Sequence, residues 1–385
     1  MTGTLTIGVP RERKDRERRI VLTPSSVSLV TGADLRVIVE SGAGLGAGFE
    51  DDAYRAAGAV LVPTADEAWA ADIVVKVKEP VAEEFGHFRP GLIVFSYLHL
   101  AAEPELTARL LAAETAAFAF ETLRDGTLPL LAPMSEIAGR AAAIIAAGQL
   151  SAAGDGSGTL VGGAAGVPPA RAVVIGMGVA GSMAARGLRG LDAHVTGVDL
   201  DLGLLFERRL DGTLDATQAS EPQALDTLIA EADVLIGAAL VPGARAPRIV
   251  SAEQVARMRP GSVVLDLAVD QGGCIATSRP TTLSQPTYVE HGVVHYCVTN
   301  VPGQFPRTAS AALSAAVAPR LIALAGHVRS GAVHDPRRAA GLAEVTEAAN
   351  VVAGRIVHPG VASALPDLPA LPDLPQRPGL GPLPT

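Results

Sequence analysis

Two aspartates stand four residues apart in VVLDLAVDQGGC (263–274), a run that otherwise reads as a buried strand. A carboxylate taken out of water finds a partner or shifts its pKa, so each of the two needs a specific reason. Asp266 lies inside the strand and reads as structural, capping a neighbouring loop. Asp270 lies past the strand end and precedes Gly272 and Gly273, which permit close backbone approach. A carboxylate there is suited to proton transfer beside a bound cofactor. His99, in SYLHL, lies just past LIVFSY (92–97) and has two readings, a proton-transfer group or a satisfied core histidine. Lys76 and Lys78, in DIVVKVKEP, either face a cleft or point to solvent. The run PRERKDRERR (10–19) holds six cations and three acids. Most are expected on a solvated surface, and one arginine is suited to grip a substrate carboxylate by two parallel hydrogen bonds.

VVIGMGVAG (173–181) places Gly176, Gly178 and Gly181 in a GxGxxG after a strand and before a helix. Gly176 allows the tight turn, Gly178 lets a pyrophosphate approach the backbone, and Gly181 lets the helix pack on the sheet. The helix start adds free N–H groups and the positive end of a dipole. Asp199 ends the next strand in VTGVDLD, 23 residues after Gly176. It accepts hydrogen bonds from ribose hydroxyls and repels a 2′-phosphate, which favours NAD over NADP. Its alternative is a helix N-cap.

The elements that must position these residues alternate. TLTIGV (4–9), DLRVIVE (34–40), DIVVKV (72–77), LIVFSY (92–97) and AAFAFE (116–121) read as strands with helical stretches between most of them. A long helix is expected near 135–153, then a Gly-rich loop or hairpin (154–169). A second series follows: AVVIG (172–176), HVTGVD (194–199), DVLIGA (233–238), SVVLDLA (262–268) and VVHYCV (293–298). Another long helix near 308–328 returns the chain to the first series. The pattern predicts an α/β fold of two Rossmann-like doubly wound domains, with the nucleotide domain inserted between the two ends of the substrate domain. The expected boundaries are 1–134 with 306–364 for the substrate domain and 135–305 for the NAD-binding domain. The Pro-rich segment 365–385 is expected to be disordered.

With 385 residues, 48% of them apolar, and a net charge of −9, the chain has room for two cores and no electrostatic case for nucleic acid or an anionic membrane. Two cysteines suit a reducing cytoplasm rather than a disulfide framework. The Ala-rich runs read as packed helices rather than membrane spans. No metal site is expected.

The sequence resembles the NAD-dependent alanine dehydrogenases over about residues 6–308. The resemblance rests on IGVPRERKDRERRIVLTP, VVKVKEP, FSYLHLA, LPLLAPMSEIAGR, VVIGMGVAG, LVPGARAPRIV, VLDLAVDQGGCIATSRPTT and YVEHGVVHYCVTNVPG. It implies reversible oxidative deamination of L-alanine to pyruvate, ammonia and NADH. By position, Arg19 matches the arginine that binds the substrate carboxylate, and Lys78 the lysine beside the substrate carboxylate or carbonyl. His99 and Asp270 match the catalytic acid–base pair, and Asn300 a position near nicotinamide and substrate. Ser135, Ser220 and Leu240 are similar to cofactor contacts. Family members are commonly hexameric, so a homo-oligomer in the cytoplasm is implied.

Beyond residue 308 the chain departs from the family pattern. PRTASAALSAAV (306–317) carries alanine where hydroxyl and amide side chains are usual. Two alternatives therefore stand beside alanine: the same fold acting on another amino acid, and a non-catalytic NAD(H)-binding subunit similar to that of transhydrogenase. An acid–base pair argues against the second, because a binding module has no use for one.

Overall fold

The computed structural model describes residues 4–239, 246–339, 341–372 and 374. By internal contacts the chain divides into two compact units, residues 1–133 with 305–385 and residues 134–304.

In the first unit the strands are β1 (Thr6–Val9), β2 (Arg36–Glu40), β3 (Val60–Val62), β4 (Ile73–Val75), β5 (Ile93–Ser96) and β6 (Ala116–Ala119). They lie in the order β3-β2-β1-β4-β5-β6, all parallel. This is the doubly wound order, with its reversal between β1 and β4. The second unit repeats it with β7 (Arg171–Ile175), β8 (His194–Asp199), β9 (Ala216–Ala219), β10 (Val234–Gly237) and β11 (Val263–Asp266). The order is β9-β8-β7-β10-β11, again parallel, and it reverses between β7 and β10. The hairpin β12 (Thr287–Glu290) and β13 (Val293–Tyr296) completes that sheet, β13 parallel to β11 and β12 antiparallel at the edge. The end of the chain then adds β14 (Ala349–Val352) and β15 (Arg355–Ile356) to the first sheet, antiparallel beside β6.

Why the strands read as apolar runs is visible in the second unit. Val174, Val195, Ile236, Leu265 and Val294 point into one core, and Val173, Val198, Leu235, Val264 and Val293 into another. A parallel sheet covered on both faces buries successive side chains on opposite sides, so alternation of polarity disappears. Burying each such side chain contributes about 1.5–3 kcal/mol.

The long helices lie at 132–150 and 306–329. Small residues let the first pack tightly within its unit: a Cβ on Gly139 would stand 2.1 Å from the Ala180 carbonyl oxygen. The second opens with Pro306 at its first position, where the missing N–H costs nothing. By length and composition it is apolar enough to cross a membrane, and 50% of that stretch is buried within the protein. Its Ser310 and Ser314 hydroxyls accept the backbone N–H groups of Ile20 and Thr23 at 2.9 and 2.8 Å, tying it to the N-terminal segment. Between 154 and 169 the chain makes a tight turn with Ala164 and Val167 bridged.

The expectation of a disordered tail from residue 365 differs from the structure over 365–371. Leu365, Leu368 and Ala370 pack on the core of the first unit. Ile356 N–H donates to the Pro369 carbonyl and Leu371 N–H to that of Ile356, both at 2.8 Å. Prolines spaced among leucines leave an extended chain that still offers carbonyls and apolar surface to a strand edge.

Candidate active site

Ligands of open parallel sheets bind beyond the strands' C-terminal ends. In the first unit four strands deliver candidate side chains there. After β1 comes Arg19, 3% exposed. Its backbone N–H and Nε donate to Glu17 Oε1 at 3.0 and 2.7 Å, and its second terminal nitrogen to Oε2 at 2.5 Å. Burial works against the guanidinium charge, but the Glu17 carboxylate outweighs it and pushes the arginine pKa up. After β4 comes Lys78, half-buried, with its backbone N–H 3.3 Å from Glu12 Oε2. The other Glu12 oxygen accepts Val77 N–H at 2.6 Å. Burial of Glu12, with the Glu17 and Glu84 charges nearby and against the pull of Lys76, lifts its carboxyl to about 7. After β5 comes His99 in a left-handed turn, φ 50°, a conformation uncommon for a residue with a side chain. The Glu121 carboxylate, past the end of β6, accepts His99 N–H at 2.7 Å and Leu98 N–H at 3.2 Å. The imidazole is half-buried and lies nearly parallel to the Tyr97 ring, centroids 6.2 Å apart.

Lys76 is neither at solvent nor a candidate for substrate. It is 1% exposed, and its Nζ donates to both Glu84 oxygens at 2.5 and 2.6 Å. The apolar neighbours in VVKV place it on a two-sided buried strand, where a lysine must be paired.

The second unit presents the dinucleotide turn. Gly176 has φ 88°, and a Cβ on it would meet Ala239 Cα at 2.8 Å. A Cβ on Gly181 would stand 1.8 Å from the Gly176 carbonyl oxygen, so only glycine lets the helix Val179–Arg189 start this close. Around Gly178 a Cβ would meet nothing within 4 Å, leaving its backbone open to a ligand. Asp199 ends β8. Its oxygens accept Met177 N–H at 2.6 Å and Asp201 N–H at 2.9 Å, which fixes the carboxylate beside the glycine turn. The cap of the following helix is Asp201, which accepts Leu204 N–H, so the alternative reading of Asp199 as N-cap does not hold. Ser220, past β9, donates its N–H to the Asp199 carbonyl at 3.1 Å and stands next to it. Ser135 lies in the first turn of the helix that begins at Ala132. Leu240 falls outside the described residues. These features fit a dinucleotide: an open glycine at a helix start, and a carboxylate one strand away with lone pairs left over.

Asp270 and Asn300 meet in the second unit. Asp270 is exposed on the 3-10 turn Val269–Gln271 after β11. Asn300, in the loop after β13 and left-handed at φ 58°, donates its N–H to Asp270 Oδ2 at 3.3 Å. Asp266 is 2% exposed and bonded within its own loop. No group of three His, Cys, Asp or Glu side chains able to hold a metal ion occurs among the described residues.

Sequence reasoning missed Glu12, Glu17, Glu84 and Glu121. The first two sit in a run read as solvated. Their signal was position: β1 ends at Val9, so the charges after it fall at the sheet's ligand-binding edge. Glu84 and Glu121 carry no comparable signal.

Two doubly wound parallel sheets, one led by a glycine turn with its acidic partner and the other ending in a buried Arg–Glu cluster, define an α/β dinucleotide-binding protein. Comparison with known proteins makes this specific. The models of the alanine dehydrogenase/PNT N-terminal and C-terminal domains match residues 8–138 and 142–359. The chain belongs to the alanine dehydrogenase/PNT family. It is 48% identical over 326 residues to the alanine dehydrogenase of Bacillus subtilis, covering 83% of this chain and 86% of that one. A solved L-alanine dehydrogenase is 44% identical at a TM-score of 0.88, covering 94% and 99%. A transhydrogenase from Sinorhizobium meliloti is 29% identical at a TM-score of 0.77, covering 92% and 99%.

Proposed function

We propose that the protein is an NAD-dependent L-alanine dehydrogenase, converting L-alanine, NAD and water reversibly to pyruvate, ammonium, NADH and a proton. The observation that carries this is near-half identity to an alanine dehydrogenase over most of both chains. Local features support it: a buried arginine with its charge secured by Glu17, and two titratable groups, His99 and Asp270, at strand ends. The non-catalytic reading has less support, since the transhydrogenase match is at 29% identity against 44% for the dehydrogenase.

Arg19 holds the substrate carboxylate by its guanidinium fork, and Lys78 contacts the carboxylate or carbonyl oxygen. Fixing that end orients the Cα–H bond. Gly176, Gly178, Gly181 and the helix start hold the NAD pyrophosphate, Asp199 the ribose hydroxyls, with Ser135, Ser220 and Leu240 as further contacts. NAD supplies the hydride acceptor. His99 and Asp270 manage the protons of the water that attacks the substrate iminium and of the departing amine, and Asn300 orients Asp270. The substrate class is a small amino acid and its 2-oxo acid. We propose further that the chain works as a cytoplasmic homo-oligomer, a hexamer by family resemblance. Leu202, Phe206 and Leu210, one face of a helix and 64, 64 and 71% exposed, supply apolar surface that assembly would cover.

The test is NADH formation by purified protein with NAD and a panel of L-amino acids. An alanine rate well above the others is expected. Turnover of another amino acid with none of alanine overturns the substrate, and no turnover with NADH still bound overturns the enzymatic reading. Light scattering on the eluting protein tests the hexamer, which a monomer mass would refute.

A further inference from the structure

Asp266 is absorbed by neither the cofactor nor the substrate, yet the structure surrounds it with donors. It ends β11, where it pairs with Gly237 of β10 in the middle of the sheet. Oδ1 accepts Ala268 N–H at 3.0 Å, and Oδ2 accepts Ile275 N–H at 3.0 Å. The Cys274 thiol lies 3.7 Å from Oδ1. A Cβ on Gly273 would stand 2.7 Å from Oδ2, so the glycine lets the loop close over the carboxylate. The residues between these two anchors form the loop that carries Asp270: the turn Val269–Gln271, then Gly272 and Gly273 at φ 97° and 75°. Among the described residues, the loop's other external backbone bonds include those from Ala246 to Gln271 and from Ile249 and Val250 to Cys274.

We infer that Asp266 is a positioning residue for Asp270, one carboxylate fastening both ends of the loop that presents the other. The inference rests on the reading of Asp270 as an acid–base group. Burial raises the Asp266 carboxyl pKa, and the Ile275 and Ala268 N–H groups pull against that rise by favouring the ionised form. Asparagine cannot replace it, because one of its two ends is itself a donor and would face a backbone N–H. The fold of the sheet does not depend on the clamp, since β11 keeps its ladders to β10 and β13.

The experiment is a double-mutant cycle of Asp266→Asn and Asp270→Asn in the full chain, reading kcat for alanine oxidation and NADH affinity by fluorescence. Asp266→Asn is expected to lower kcat at least about tenfold, the scale of a misplaced catalytic group, with NADH affinity within about twofold of wild type. In the Asp270→Asn background the same change is expected to move the residual rate by less than about twofold, because its effect passes through Asp270. Near-wild-type turnover of Asp266→Asn overturns the inference. So does an equal loss in both backgrounds, or a parallel loss of NADH binding, which mark a merely structural role. If Asp270→Asn alone retains near-native turnover, the acid–base reading itself falls, an outcome distinct from failure of the clamp. Should Asp266→Asn not fold, Gly273→Ala presses on the same carboxylate from outside, and the same outcomes decide.

Discussion

Replacing Glu12 with Gln is expected to change how the stability of the first unit depends on pH. The Glu12 side chain is 5% exposed, and its carboxyl is raised from 4.5 to about 7. Between those two pH values the folded protein holds a proton that the unfolded chain has released, so stability falls as pH rises. Below 4.5 the carboxyl is protonated in both states and imposes no cost; above about 7 the cost is complete. A rise of this size corresponds to about 3 kcal/mol, most of it developed between about pH 5 and about pH 8. Gln keeps the carbonyl that accepts Val77 N–H, turns its amide toward Lys78 N–H at a cost that does not vary with pH, and has nothing to ionise. Titrating groups outside the Lys76, Glu17 and Glu84 cluster around Glu12 are common to both proteins and cancel in the difference. Trp69, the single tryptophan of the chain, is buried in the first unit, so its fluorescence in a urea titration reports that unit. The stability advantage of Glu12→Gln should grow by about 2–3 kcal/mol from about pH 5 to about pH 8. A difference that stays constant with pH would refute the reasoning.

Asp270→Asn and His99→Ala should each cut turnover at least about 100-fold while NADH still binds, as measured by steady-state rates and cofactor fluorescence. Asp199→Ala should raise the ratio of kcat/KM for NADP to that for NAD, because the charge that repels a 2′-phosphate is gone; an unchanged ratio counts against that role. Gly181→Ala, whose Cβ would fall 1.8 Å from the Gly176 carbonyl oxygen, should displace the glycine turn and weaken NADH binding at least about tenfold, read by fluorescence titration.

The strands that were legible are those buried on both faces, such as AVVIG and SVVLDLA, because continuous apolar runs of this length need a covered parallel sheet. β3, β9, β12, β14 and β15 escaped notice: ATQA in β9 is only partly buried and carries two polar residues, TYVE in β12 is likewise partly buried, and β15 has two residues. β9 and β12 stand at edges of their sheet, where solvent relaxes the apolar requirement. Gly176 and Gly181 could be read because the tight turn and the close helix leave no room for a Cβ at those two positions. The acids that secure Arg19 and Lys78 could not. Glu12 and Glu17 share a run with six cations, where the position just past β1 is a cue outweighed by the charge pattern, and the fold shows that the chain dips inward there. Lys76 shows the converse, a charge read as facing a cleft or solvent that its apolar flanks carry into the core, where its partner, Glu84, lies eight residues on without a pattern.

The first unit is assembled from both ends of the chain, and this has a consequence for its synthesis. Asn350, in β14, donates to the Thr122 hydroxyl from 228 residues away. As the polypeptide leaves the ribosome, β6 therefore presents a bare strand edge until β14 has been made, after the whole of the second unit. The second unit, contiguous in sequence, is complete well before that. Domains fold as units during translation, and unpaired edges invite association with other nascent chains. β6 thus waits for a partner strand on the far side of a complete second unit.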